Sequence, residues 1–262
     1  SHMKKTLIAL ALAATAVSGS VMAWTPNGLG GTMEFGGTLT PKDVVNPWEV
    51  QVGPNIDALN GSLKPNEKVV NIILSKAVPL LGIRVADAGK RFTGAPGIAP
   101  QIDYKNAVDL DGFAAGDTTL TLKVVKASDA AVELGTLTAK LSAAGIVTNE
   151  NSSTKAVIIA PVAGNAFFGG LPKTAAAAVT SEHASWIMLG ELSASYISQY
   201  TGGGHVTDTG PTFTKFADPL VTYSSAYGAG LKTGSTVTIN LTSPATADMA
   251  WKASFPITVS YQ

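Results

Sequence analysis

Apolar side chains return at every second position in short runs from residue 48 to the end of the chain, and turn-forming residues fall between the runs. WEVQV (48–52), EKVVNIILS (67–75), LLGIRVA (80–86), IAPQIDY (98–104), TLTLKVV (119–125), LGTLTAKL (134–141) and AVIIAP (156–161) come first. PLVTYSSAYGAG (219–230), STVTINL (235–241) and MAWKASFPITVSY (249–261) close the chain. A period of two sends alternate side chains to opposite faces of an extended strand, so these runs predict strands with one buried face. EKVVNIILS is mostly apolar and predicts a strand covered on both faces. Asp111-Gly112 and Lys232-Thr233-Gly234 are turn signals between runs. Many short strands at this spacing predict an all-β sandwich.

One stretch breaks the period. In residues 172–200, Trp186, Leu189, Tyr196 and Tyr200 recur at helical spacing on roughly one face, with Ser193 in the gap. Ser181 is placed to cap a helix whose first turn holds Glu182. Gly190 is a candidate break into two helices, and TGGGH (201–205) a stop. Residues 165–215 therefore predict a partly helical insertion between sandwich strands. Trp186 and Tyr196 are read as core residues of that helix.

The two ends of the chain complement each other. In GLGGTMEFGGTLT (28–40), Leu29, Gly31, Met33, Phe35, Gly37 and Leu39 share one face. A flat, glycine-interrupted strand specifies its own pairing poorly. At the other end Met249, Trp251, Ala253, Phe255, Ile257, Val259 and Tyr261 form an apolar row. Pro256, on the opposite face, removes a ladder donor and favours an edge or an interruption in pairing. A long apolar edge needs a cover. Both features fit addition of one copy's N-terminal strand to the sheet of the next. Repeated head to tail without closure, this makes a filament.

Composition narrows the class. Ser1-His2 reads as an expression scar, and residues 3–23, with Lys4-Lys5, an apolar run and a small-x-small site before Trp24, as a secretory signal peptide. The 18 Lys and Arg balance 18 Asp and Glu; without Lys4 and Lys5 that leaves 16 against 18. So slight a negative balance argues against nucleic acid as a partner. The chain has no cysteine, so no disulfide or thiol chemistry is expected. His183 and His205 lie outside any metal-ligand spacing, and Asp103, Asp109 and Asp111 do not match a calcium loop. No catalytic constellation, cofactor motif or metal site is expected. Aromatic residues are 7% without a girdle pattern, which disfavours an outer-membrane barrel.

The sequence resembles the K88 (F4)-type fimbrial subunits of the chaperone–usher pathway, a group with CS31A and F41. KKTLIALALAA, AWT followed by GGTLT, PWEVQVG, FFGGLP (167–172), YSSAYGAGLKTGSTVTINL (223–241) and the W-x-A…I-T-V-S-Y ending (251–261) carry the resemblance. It implies an incomplete immunoglobulin-like β-sandwich completed by a donor strand. Residues 24–40 would be the donor strand, 41–262 the pilin domain, and about 150–215 an inserted subdomain. The implied partners are neighbouring copies, a periplasmic chaperone, an outer-membrane usher and a host carbohydrate. The implied location is a fimbrium reached through the periplasm. Leu29, Gly31, Met33, Phe35, Gly37 and Leu39 would enter a neighbour's groove. Trp251, Phe255, Ile257, Val259 and Tyr261 would form the groove and chaperone edge. Trp186, Tyr200, His205 and Asp208 are the candidates for sugar contact. The alternative is a purely structural shaft subunit without lectin activity.

Overall fold

The computed structural model describes residues 24–41, 46–202 and 207–262; the expected signal segment 1–23 and the candidate His205 lie outside them. The chain divides into two units, Ser1–Asp43 and Val44–Gln262. In the first, residues 24–41 contain a turn closed by the Gly28 amide on the Thr25 carbonyl, and no helix or strand. Within this unit the alternating segment 28–40 forms no strand. Leu29, Met33, Phe35 and Leu39 are all exposed.

The second unit is an all-β sandwich with one α-helix. Its elements are β1 (Trp48–Val52), β2 (Val69–Ile73), β3 (Val78–Val85), β4 (Phe92–Thr93), β5 (Pro100–Asp103), β6 (Asp117–Lys126), β7 (Asp129–Asn149), β8 (Thr154–Val157), helix α1 (Glu182–Leu192), β9 (Thr207–Asp208), β10 (Thr222–Leu231), β11 (Thr236–Leu241), β12 (Trp251–Lys252) and β13 (Thr258–Tyr261). The 21-residue β7 belongs to both layers. Its second half pairs with β10 and β8, continuing through β3 to β1. Its first half pairs with β11 and β6, continuing to β2 and β12. β13 and β5 form a separate antiparallel pair. Leu81, Ile83 and Tyr227 of one layer join Leu120, Leu137 and Ile239 of the other in one buried core.

Burial along β7 explains its composition. Leu137, Ala139 and Leu141 point inward while Thr136 and Lys140 are exposed, as alternation predicts. From Ser142 to Thr148 every residue is buried. There Ala144 and Ile146 lie under α1, against Met188, Leu189 and Leu192. Small residues let the helix approach the sheet closely.

Two expectations about these elements need correction. The closing run 249–261 is not one strand: β12 pairs with β6, β13 with β5, and residues 253–257 pair with neither. Pro256 lies in the gap, so its missing donor interrupts pairing. Gly190 does not split the helix, which runs unbroken to Leu192. The span about 150–215 supplies β8, which pairs with β7, and it buries Phe167 and Leu171 in the main core.

Candidate functional site

A cleft of about 1230 Å³ lies over the inner face of the β6–β7–β11–β2 layer. Its floor is apolar: Leu120, Leu122, Leu137, Val237, Ile239 and Leu241. One wall is the irregular segment 52–63 that carries the chain from β1 to β2; the other is 245–257. Val50 and Val52, spaced two and four residues from buried Trp48, are uncovered. An alternating strand that stays buried only at its first residue has lost its cover along the rest.

The second wall offers backbone as well as side chains. From Met249 to Tyr261 odd-numbered residues are half-buried and even-numbered ones exposed, across the break in the strand. The main chain of 253–257 makes no hydrogen bond to another described residue. Unpaired donors and acceptors beside an apolar trough form a template for an added strand. Of the sequence candidates, the structure brings Trp251, Phe255 and Ile257 to the cleft, with Met249. Val259 and Tyr261 lie past it, on β13 beside β5. The 52–63 wall was not predicted. It has no alternation, and Pro54 and Asn60-Gly61 read as turns. Its only signal was Leu59 and Leu63, which pack half-buried on the core.

Of the carbohydrate candidates, Trp186, Tyr200 and Asp208 are among the described residues. Ser181 caps α1, its Oγ accepting the Ala184 amide at 3.1 Å, and Glu182 fills the first turn, both as expected. Asp208 Oδ2 accepts the Glu182 amide at 3.1 Å, and its Oδ1 the Gly210 amide at 2.9 Å. Free N–H groups at a helix start favour such a carboxylate. The Tyr200 hydroxyl donates to buried Glu182 Oε2 at 3.0 Å. Burial first, and the Glu182 charge second, hold the Tyr200 phenol well above its ordinary pKa. Tyr200 and Asp208 are thus joined through Glu182 as supports of the helix. Tyr196 is buried, as expected. Trp186 is not a core residue: it is 39% exposed, stacked parallel to His183 at 5.9 Å. Leu189 sets the buried face of α1 and leaves Trp186 outside it.

Comparison with known proteins places this architecture. The family model "Fimbrial, major and minor subunit" of the K88 group matches residues 3–262. The chain is similar to the F41 fimbrial protein of Escherichia coli, with 30% identity over 283 residues. It is also similar to the K88 fimbrial proteins AC and AB of Escherichia coli, with 26% identity over 288 residues and 27% over 287. Each alignment covers 99% of this chain and 100% of the relative. The chain belongs to the K88 family of fimbrial major and minor subunits.

Proposed function

We propose that this subunit polymerises by donating residues 28–40 to the cleft of a neighbouring copy. Its family makes it a structural subunit of a surface fimbrium, not an enzyme, and one that assembles with other subunits. The observation carrying the reading is the apolar cleft with unpaired backbone at 253–257, in a chain whose leading segment exposes four large apolar side chains. Leu29, Met33, Phe35 and Leu39 occupy successive depressions. Burying each is worth roughly 1.5–3 kcal/mol, so the four give about 6–12 kcal/mol before ordering costs. Before joining, a periplasmic chaperone covers the same cleft and an outer-membrane usher receives the complex.

The decisive experiment is electron microscopy of cells expressing the subunit with its assembly partners. Filaments containing the wild-type chain, and none from a chain lacking residues 28–40, support the reading. Filaments formed without those residues refute it.

The reading includes adhesion to a host glycan, through the exposed Trp186–His183 stack. A second reading, a shaft subunit without lectin activity, is favoured by the internal hydrogen bonds that occupy Tyr200 and Asp208. Glycan-array binding by purified filaments separates the two.

A further inference from the structure

The C-terminal wall of the cleft is wired to the loop that leads into the helical region. The Phe255 ring, on that wall, stacks on Tyr104 with centroids 5.3 Å apart and planes at 30°. The Tyr104 and Tyr227 hydroxyls are 2.5 Å apart. Tyr227 gives its own proton to the Gly170 carbonyl at 2.9 Å, so Tyr104 is the donor between them. The Tyr227 ring stacks on Phe167 at 5.3 Å. Both tyrosines and Phe167 are buried.

A main-chain route runs beside this one. β13 pairs with β5 through Val259 and Ile102, and the Ile102 amide donates to the Phe168 carbonyl at 2.7 Å. The Phe167 amide donates to the Pro100 carbonyl at 2.7 Å. Both routes end on residues 167–170.

That loop is strained. Phe167 has φ +63° and Gly169 φ +90°. A bulky side chain at positive φ is costly and persists only while its surroundings hold it. Here the holders are Tyr227 and β5. Past the loop, Leu171 and Pro172 continue toward α1. A strained loop with two identifiable clamps is the kind of element whose equilibrium a distant site biases.

We propose that filling the cleft tightens the 167–170 loop through Phe255, Tyr104 and Tyr227, so that joining a neighbour rigidifies the approach to α1. The inference rests on the donor-strand reading above. Phe255 is half-buried in the open cleft; a strand laid against 253–257 presses its ring onto Tyr104. Tyr104 then holds Tyr227 on Gly170.

The test is hydrogen–deuterium exchange on the full chain, with and without excess synthetic peptide of residues 28–40. In the wild type, the peptide is expected to slow exchange both at 251–257 and at 167–171. In Tyr104→Phe, which keeps the ring and removes the donated proton, slowing at 251–257 persists and most of the gain at 167–171 is lost. Phe255→Leu, altered at the half-buried end of the relay, gives the same split with both buried tyrosines and their hydroxyls kept. Slowing at 251–257 alone in the wild type, or equal gains at 167–171 in both variants, overturns the coupling and leaves the cleft reading intact. No slowing at 251–257 overturns both.

Discussion

Gly82 of β3 and Gly228 of β10 are directly opposite one another, and the ring of Tyr196 occupies the space their missing side chains leave. A Cβ on Gly228 would lie 2.4 Å from Tyr196 Cδ2 and 2.7 Å from Leu189 Cδ2; one on Gly82 would lie 2.3 Å from Tyr196 Cε1. The Tyr196 hydroxyl meanwhile donates to the Ala229 carbonyl at 3.2 Å. The glycine pair is therefore the socket that docks the helical region on the sheet. Gly228→Ala should destabilise the subunit by about 1–3 kcal/mol through overpacking. Denaturant unfolding measures the loss, and the near-ultraviolet signal of Tyr196 reports its displacement.

Gly37→Leu is expected to block filament growth while leaving the subunit's own fold and its chaperone complex at wild-type level. Nothing lies within 4 Å of a Cβ built at Gly37, and in the proposed join a larger side chain there would overpack the cleft. Thr38→Ser, on the opposite face, should leave growth unchanged. Yield of chaperone complex and filament counts, scored together, distinguish this from simple misfolding.

Tyr261→Ala should lower recovery of the chaperone complex more than its terminal position suggests. Tyr261 ends the half-buried row on β13 and pairs in register with Pro100. Pull-down of the subunit with its co-expressed chaperone gives the measurement, and wild-type recovery would contradict the expectation.

Alkali should unfold the protein through its buried tyrosines. Burial holds Tyr104 and Tyr227 well above the ordinary phenol pKa of about 10. Above that value the unfolded chain loses phenolic protons that the folded chain keeps. Stability contributed by these groups is thus complete below pH 10 and declines as pH rises beyond it. Ultraviolet titration should show these phenols ionising only together with loss of structure. Reversible ionisation in the intact fold would refute the burial argument.

Trp186→Ala and Tyr200→Phe should separate surface from support. Trp186 contacts solvent and His183, so its removal should change stability by no more than about 0.5 kcal/mol while reducing any glycan binding. Tyr200→Phe leaves buried Glu182 without its phenol donor, which should cost about 1–3 kcal/mol. Thermal unfolding of the two variants, with glycan-array binding of the filaments, tests both.

How much the sequence reveals depends on how many faces of an element are covered. WEVQV and STVTINL announce strands because one face of each points outward along its alternating positions. SAAGIVTN, the second half of β7, shows no alternation because the core lies on one side and α1 on the other. The gap at 253–257 was foreshadowed by Pro256, but its consequence was not. The partners on either side, β6 and β5, are far away in sequence and in different sheets. Trp186 and Leu189 lie three residues apart on α1 and share a helical face by spacing. Only docking against Ile146 and Ala144 decides which of them is buried. The strain at Phe167 left no trace in FFGGLP beyond its glycines. The 52–63 wall left less, since a segment that borders a cleft without joining a sheet needs no periodicity.

The length of β7 has a consequence for the order of synthesis. Its residues 135–149 take neighbours from β6 and β8 nearby, but also from β10 and β11, residues 222–241, translated among the last. Until those emerge from the ribosome, neither layer has a complete set of neighbours, and the longest strand stands as a bare apolar edge. Such long-range pairing is slow and leaves a growing chain open to aggregation. The exposure of this chain to wrong pairing is therefore greatest before residues 222–241 are available, earlier than any step at which one finished subunit meets another.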